Sequence, residues 1–189
     1  MNALFIAAKE VADFMKARRW KFCVIGGIAI MRWGEPRTTQ DVDITLLTGF
    51  RNEEQFVDAL LATFGARGAN PREHALLRRV LLLKATNGVP VDIALAGFPF
   101  EEESLRRASM FEFDENCQLM TCSAEDLVVA KAFADRPKDW LDIENVLIRQ
   151  GAKLDAKYVM RQLVPLCELK EAPEIVTRMR ELVKATRES

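Results

Sequence analysis

The residues Asp41-Val42-Asp43-Ile44-Thr45-Leu46 alternate acidic or polar side chains with apolar ones, and this pattern constrains the chain more than any other. A period of two is the mark of a strand with one buried face. Val42 and Ile44 point into a core, and Asp41 and Asp43 lie together on the other face. Upstream, the apolar and partly β-branched Lys21-Phe22-Cys23-Val24-Ile25 ends at Gly26-Gly27, which predicts a short buried strand running into a sharp turn. A short helix starts at Ile28 and is broken by Gly34-Glu35-Pro36. Downstream, the apolar runs 78–84 and 89–95 flank Asn87-Gly88, a strong hairpin signal. That pairing presents Asp92 on a strand beside the one carrying Asp41 and Asp43.

The remaining pattern is helical. Phe5, Ile6, Val11, Phe14 and Met15 recur at helical spacing over Ala3–Ala17, and 52–64 reads as a second helix with Glu53 and Glu54 near its positive end. Ser123-Ala124-Glu125-Asp126 is a capping pattern ahead of a long periodic segment, from which two or three helices follow, interrupted near Gly151 and Pro165. The composition shift near Thr121 divides the chain into a core of residues 1–120 and a helical lobe of residues 121–189. The expected class is α/β, in the α+β sense, with a small mixed sheet in the first part.

Composition removes several alternatives. With 189 residues, 49% hydrophobic and 29% charged, the chain has the makings of an ordinary globular core rather than a disordered or fibrous protein. Its longest apolar run, Val80-Leu81-Leu82-Leu83, is far too short to cross a bilayer, and no basic region precedes an apolar start, so a cytoplasmic location with no membrane association is expected. The four cysteines lack C-x-x-C spacing and read as reduced thiols. One histidine, His74, placed in a polar connector, cannot supply a Ser-His-Asp device. A net charge of −1 leaves any nucleic-acid partner to local basic patches such as Arg72, Arg78, Arg79 and Lys84.

Two carboxylates on one strand face, a third on a neighbouring strand and a glycine turn suit nucleotidyl transfer. When a hydroxyl attacks a nucleotide α-phosphate, negative charge builds on the phosphoryl oxygens and on departing pyrophosphate while the nucleophile loses a proton. Magnesium prefers oxygen ligands and is commonly held by one or two carboxylates plus substrate phosphates. Two Mg2+ ions, or Mn2+ in their place, would use Asp41, Asp43 and Asp92 as metal ligands and catalytic groups. Gly26 and Gly27 let backbone amides approach a phosphate, aided by the helix start that follows. No G-x-x-x-x-G-K-[ST] pattern is present, which removes the main support for a kinase or ATPase.

Gly26-Gly27, Asp41-Val42-Asp43-Ile44 and Asp92 together resemble the polymerase-β-like nucleotidyltransferase superfamily. The short chain and Arg37-Thr38-Thr39-Gln40-Asp41-Val42-Asp43 look most like the AbiE-type toxin nucleotidyltransferases of bacterial toxin–antitoxin systems. The segment from Lys131 through Asp139, Trp140 and Asp142 is similar to that family's helical part. The resemblance implies that Lys131 contacts the triphosphate, that Arg37 lies beside the metal site, and that Asp139 and Asp142 fix the helical lobe or line the cleft. It further implies a nucleoside triphosphate substrate, the 3′ end of tRNA as acceptor, and a cognate antitoxin as partner. The same core serves antibiotic-modifying enzymes, so a small hydroxyl compound is the alternative acceptor, and a non-catalytic nucleotide- or partner-binding module is the other class of answer. The chain departs from the pattern at Gly27, where the family often has serine.

Overall fold

The computed structural model describes residues 2–188. It divides into two compact units, one formed by the residues through Ile28 together with Thr38–Cys122, the other by Ala29–Arg37 together with the residues from Ser123 onward.

The first unit is built on a mixed seven-stranded sheet, among the described residues, in the order β3-β4-β5-β2-β1-β7-β6. Its strands are β1 (Phe22–Val24), β2 (Val42–Leu47), β3 (Gly65–Ala66), β4 (Val80–Lys84), β5 (Pro90–Ala96), β6 (Ser109–Asp114) and β7 (Cys117–Thr121). β2 runs parallel to β5, with Asp43 opposite Asp92, and antiparallel to β1. β4 and β5 form the expected antiparallel hairpin around Asn87-Gly88, where Gly88 adopts φ +83°. The alternation in β2 holds over its first half, where Val42 and Ile44 are buried and Asp43 is half-buried; beyond it Thr45 is buried as well as Leu46. Strands central to the sheet bury Val91, Ile93 and Leu95 in the same way.

Helix α1 (Ala3–Ala17) forms as expected, capped by Asn2, whose Oδ1 accepts from the Leu4 amide at 3.0 Å. Its buried stripe is Leu4, Ala7, Ala8, Val11, Ala12 and Met15, while Ile6 is exposed. Alanines, not the larger Phe5 and Ile6, let this helix sit close to the sheet. Helix α2 (Gly26–Trp33) starts two residues earlier than the apolar pattern indicates, at the glycine pair itself, and α3 (Glu53–Leu61) falls within the expected 52–64.

Two further helices and a hairpin of this unit lie where the sequence pattern assigned no element. Helix α4 (Pro71–Arg78) carries His74, so the histidine sits on a helix and not in a connector. Helix α5 (Pro99–Arg107) starts at a proline and is closed by Glu101, whose Oε2 accepts from the Gly97 and Phe98 amides. β6 and β7 make an antiparallel hairpin in which only β7 alternates clearly, burying Cys117, Leu119 and Thr121.

In the second unit, α6 (Ala124–Ala134), α7 (Pro137–Gln150), α8 (Ala156–Lys170) and α9 (Pro173–Glu188) pack together, giving four helices among the described residues where two or three were expected. Ser123 caps α6, its Oγ accepting from the Asp126 amide at 3.1 Å. The break at Gly151 occurs, with φ +53°. The break at Pro165 does not: α8 continues through it. A proline inside a helix costs about 3 kcal/mol relative to alanine. Burial of Val159 and Leu163 before it and Cys167 after it holds both sides of the helix in place, and Pro165 itself is solvent-exposed.

Candidate active site

The three aspartates and both glycines lie in the first unit. Gly26 takes φ +60°, a conformation that side-chain-bearing residues rarely adopt. A Cβ placed there would stand 1.9 Å from Asp43 Oδ2 and 2.8 Å from Asp43 Cβ. The absent side chain is therefore what allows the turn to close against the Asp43 carboxylate. At Gly27, an added Cβ would meet Thr39 Oγ1 at 2.5 Å and Thr39 Cβ at 2.6 Å. Thr39 thus fills the space a serine at this position would need. Its hydroxyl donates to Asp41 Oδ1 at 2.8 Å, steadying the carboxylate just ahead of β2.

Asp43 and Asp92 occupy matched register positions on the parallel pair β2 and β5. Neighbouring strands are about 4.8 Å apart, so two side chains at one register on one face come within reach of a common cation. The donor set is all carboxylate oxygen, which suits a hard divalent ion such as magnesium. The side chains are not gathered around one point, however. Asp92 Oδ1 accepts from Arg67 Nη2 and Asp41 accepts from Thr39. Among the described residues no three acidic, imidazole or thiol groups stand close enough to hold an ion. Residue chemistry and backbone placement therefore fit a divalent ion, while the third carboxylate is engaged by an arginine that the sequence pattern did not single out. Arg67 follows the two-residue strand β3, and nothing in Gly65-Ala66-Arg67-Gly68 marks it in the linear sequence.

Arg37 and Lys131 lie in the second unit, in one ion network. Lys131 is 6% exposed, and its Nζ donates to Asp139 Oδ1 at 2.9 Å and to Asp142 Oδ2 at 2.6 Å. Arg37 grips Asp142 with two bonds, Nε to Oδ1 at 2.8 Å and Nη2 to Oδ2 at 2.9 Å. Arg136 Nε donates to Asp139 Oδ2 at 2.5 Å. Burial pushes the carboxyl groups of Asp139 and Asp142 toward protonation. Hydrogen bonds from Arg136 and Lys131 to Asp139, and from Arg37 and Lys131 to Asp142, outweigh it and hold both below the ordinary carboxylate value. Asp139 and Asp142 thus tie α6, α7 and the 29–37 segment into one body, helped by Gln150 Nε2, which donates to the Trp33 carbonyl at 2.7 Å.

The basic residues noted as a possible path for RNA phosphates divide by environment. Arg79 pairs with Glu53 and donates to the carbonyls of Leu95 and Gly49, the latter at 2.9 Å, which makes it part of the scaffold. Arg72 pairs with Asp58 and Glu54, both at 2.7 Å. Arg78 and Lys84 are exposed. No helix among the described residues is long and apolar enough to cross a membrane.

The family described as a nucleotidyltransferase of unknown function (DUF6036) matches residues 2–165. Among solved structures, the chain is similar to ANT(2″)-Ia, solved in complex with adenylyl-2″-tobramycin. That likeness has a TM-score of 0.55 at 13% identity and covers 88% of this chain and 98% of that one. It is also similar to an antigenic nucleotidyltransferase-like protein from Paracoccidioides brasiliensis, with a TM-score of 0.52 at 15% identity, covering 93% of this chain and 91% of that one. At such identities the likeness shows a shared nucleotidyltransferase fold. No curated protein matches the sequence.

Proposed function

The chain belongs to the DUF6036 family of nucleotidyltransferases, and from that premise we propose that it transfers a nucleoside monophosphate from a nucleoside triphosphate to an acceptor hydroxyl, releasing pyrophosphate. The observation that carries this reading is the register of Asp43 with Asp92 on adjacent parallel strands, with Gly26 closed against Asp43. Asp41, Asp43 and Asp92 would hold the divalent ions, Mg2+ or Mn2+. Such ions, when bound, would neutralise charge on the reacting phosphate and favour loss of the acceptor proton. Asp92, on the neighbouring strand, would lie nearest the acceptor and take that proton. Thr39 keeps Asp41 oriented, and the turn at Gly26 and Gly27 offers backbone amides to the phosphates.

Arg37 and Lys131 are the proposed phosphate contacts. In their present pairing both are spent on Asp142 and Asp139, so a phosphate must compete with carboxylates for them. The proposed acceptor is the 3′ end of tRNA, with an antitoxin as partner, following the resemblance to AbiE-type toxins; exposed Arg78 and Lys84 are among the basic groups that could meet an RNA backbone. A second reading, a small hydroxyl compound as acceptor, is supported by the likeness in fold to ANT(2″)-Ia. Incubating the protein with each α-labelled triphosphate, magnesium and separate pools of RNA, protein and small metabolites distinguishes them. Label in tRNA supports the first, label in the metabolite pool the second, and label in none refutes transfer to either.

A further inference from the structure

We propose that Arg67 is a positioning residue that withholds the third carboxylate: its guanidinium occupies Asp92 and competes there with the divalent ion. The inference rests on the proposed function and concerns the same site. Arg67 is fixed by three contacts. Its amide donates to the Leu82 carbonyl at 3.0 Å, its Nε donates to the Leu83 carbonyl at 2.9 Å, and its Nη2 donates to Asp92 Oδ1. Leu82 is the β4 residue paired with Asp92 in the hairpin register, so the side chain reaches from the far side of β4 across to β5. The bond to Leu83 sets the plane of the guanidinium and aims Nη2 at the carboxylate. The Arg67 and Asp92 side chains are 27% and 33% exposed, which leaves the pair open to ions from solvent.

The electrostatic consequence follows directly. A guanidinium on Asp92 repels a cation approaching the same carboxyl group. An ion must therefore displace the Nη2 bond or accept a site whose third ligand is half neutralised. The arrangement also explains why the carboxylates are kept from converging: with Asp92 satisfied by Arg67 and Asp41 by Thr39, the acidic groups are spared their mutual repulsion. An arginine that merely scaffolded the site would instead help the ion bind, and the two roles predict opposite signs.

The test is Mn2+ titration of the nucleotide-free protein, with free ion read by electron paramagnetic resonance, for the wild type, Arg67→Gln, Arg67→Met, Asp43→Asn and Asp92→Asn, each checked by melting temperature. Loss of a partly exposed ion pair predicts that both neutral Arg67 variants bind Mn2+ up to about fivefold more tightly than the wild type. The gain should vanish in an Arg67→Gln, Asp92→Asn double variant. If a neutral replacement lowers the melting temperature, Arg67→Lys, which keeps a donor for the Leu83 carbonyl without the planar fork, is expected to bind roughly threefold more tightly. Equal or weaker Mn2+ binding in the folded Arg67 variants, with binding still lost in Asp43→Asn, overturns the role of Arg67 and leaves the proposed function standing. Absence of Mn2+ binding in every variant, both in the nucleotide-free protein and with a non-hydrolysable nucleoside triphosphate analogue added, overturns both.

Discussion

Replacing Gly26 with alanine tests whether the turn and the Asp43 carboxylate form one unit. Gly26 sits at φ +60° with Asp43 Oδ2, Cγ and Cβ at 1.9, 2.6 and 2.8 Å from the position of a new Cβ. Gly88 has φ +83° and nothing within 4 Å. Both substitutions carry the left-handed backbone penalty, about 1–2 kcal/mol for a residue with a side chain. Only Gly26→Ala adds a clash, and because that clash extends to the Asp43 Cβ, rotating the carboxylate does not relieve it. A backbone shift or off-rotamer side chain adds about 1–3 kcal/mol. Gly26→Ala is therefore expected to destabilise by about 2–5 kcal/mol and Gly88→Ala by about 1–2 kcal/mol. Urea denaturation followed by tryptophan fluorescence and by far-ultraviolet circular dichroism measures both. If Gly26→Ala costs no more than Gly88→Ala, the close packing of the glycine turn on Asp43 is wrong.

Other expectations follow from the ion network of the second unit. Lys131→Met removes the shared partner of Asp139 and Asp142, which are 0% and 4% exposed as side chains, and should cost about 3 kcal/mol; adding Asp139→Asn should recover part of that loss, and a melting temperature unchanged by Lys131→Met would refute the network's structural role. Both carboxyl groups are held below their ordinary value of 3.8 in the fold. The unfolded state then binds protons first as pH falls, so the network's contribution is complete above about pH 5 and drains through and below pH 4. Melting temperatures between pH 3 and 7 check the sign, and an Asp139→Asn, Asp142→Asn variant should lose that slope.

Much of the first unit was legible because its signals are local. The alternation at 41–46 and the Asn87-Gly88 turn mark β2, β4 and β5 without reference to anything distant, whereas the register of Asp43 with Asp92 is set by the parallel pairing of β2 and β5. Helix α4 was hidden because it buries only Ala75, leaving no apolar period to read, although Pro71 at its first turn was a usable signal. β6 escaped for a related reason: its residues are almost all exposed, so no alternation marks it. Pro165 misled in the opposite direction, because helix packing by Leu163 and Cys167 outweighs a local preference. At the site, the aspartates and glycines were visible as a pattern. Arg67 was not, since its meaning depends on β3 and β4 bringing it over Asp92. Lys131 and Arg37 were visible, but their pairing with Asp139 and Asp142 emerges only from the packing of α6 and α7.

The claim that the Asp43 and Asp92 strand pair performs nucleotidyl transfer is tested most directly by pyrophosphate release. The wild type, Asp43→Asn and Asp92→Asn are compared in the presence of all four nucleoside triphosphates, total RNA and small-metabolite extract, with and without magnesium. The account predicts magnesium-dependent release by the wild type that falls by at least about a hundredfold in each variant at an unchanged melting temperature. Undiminished release by a folded Asp43→Asn protein, or release by the wild type that is indifferent to magnesium, would contradict it.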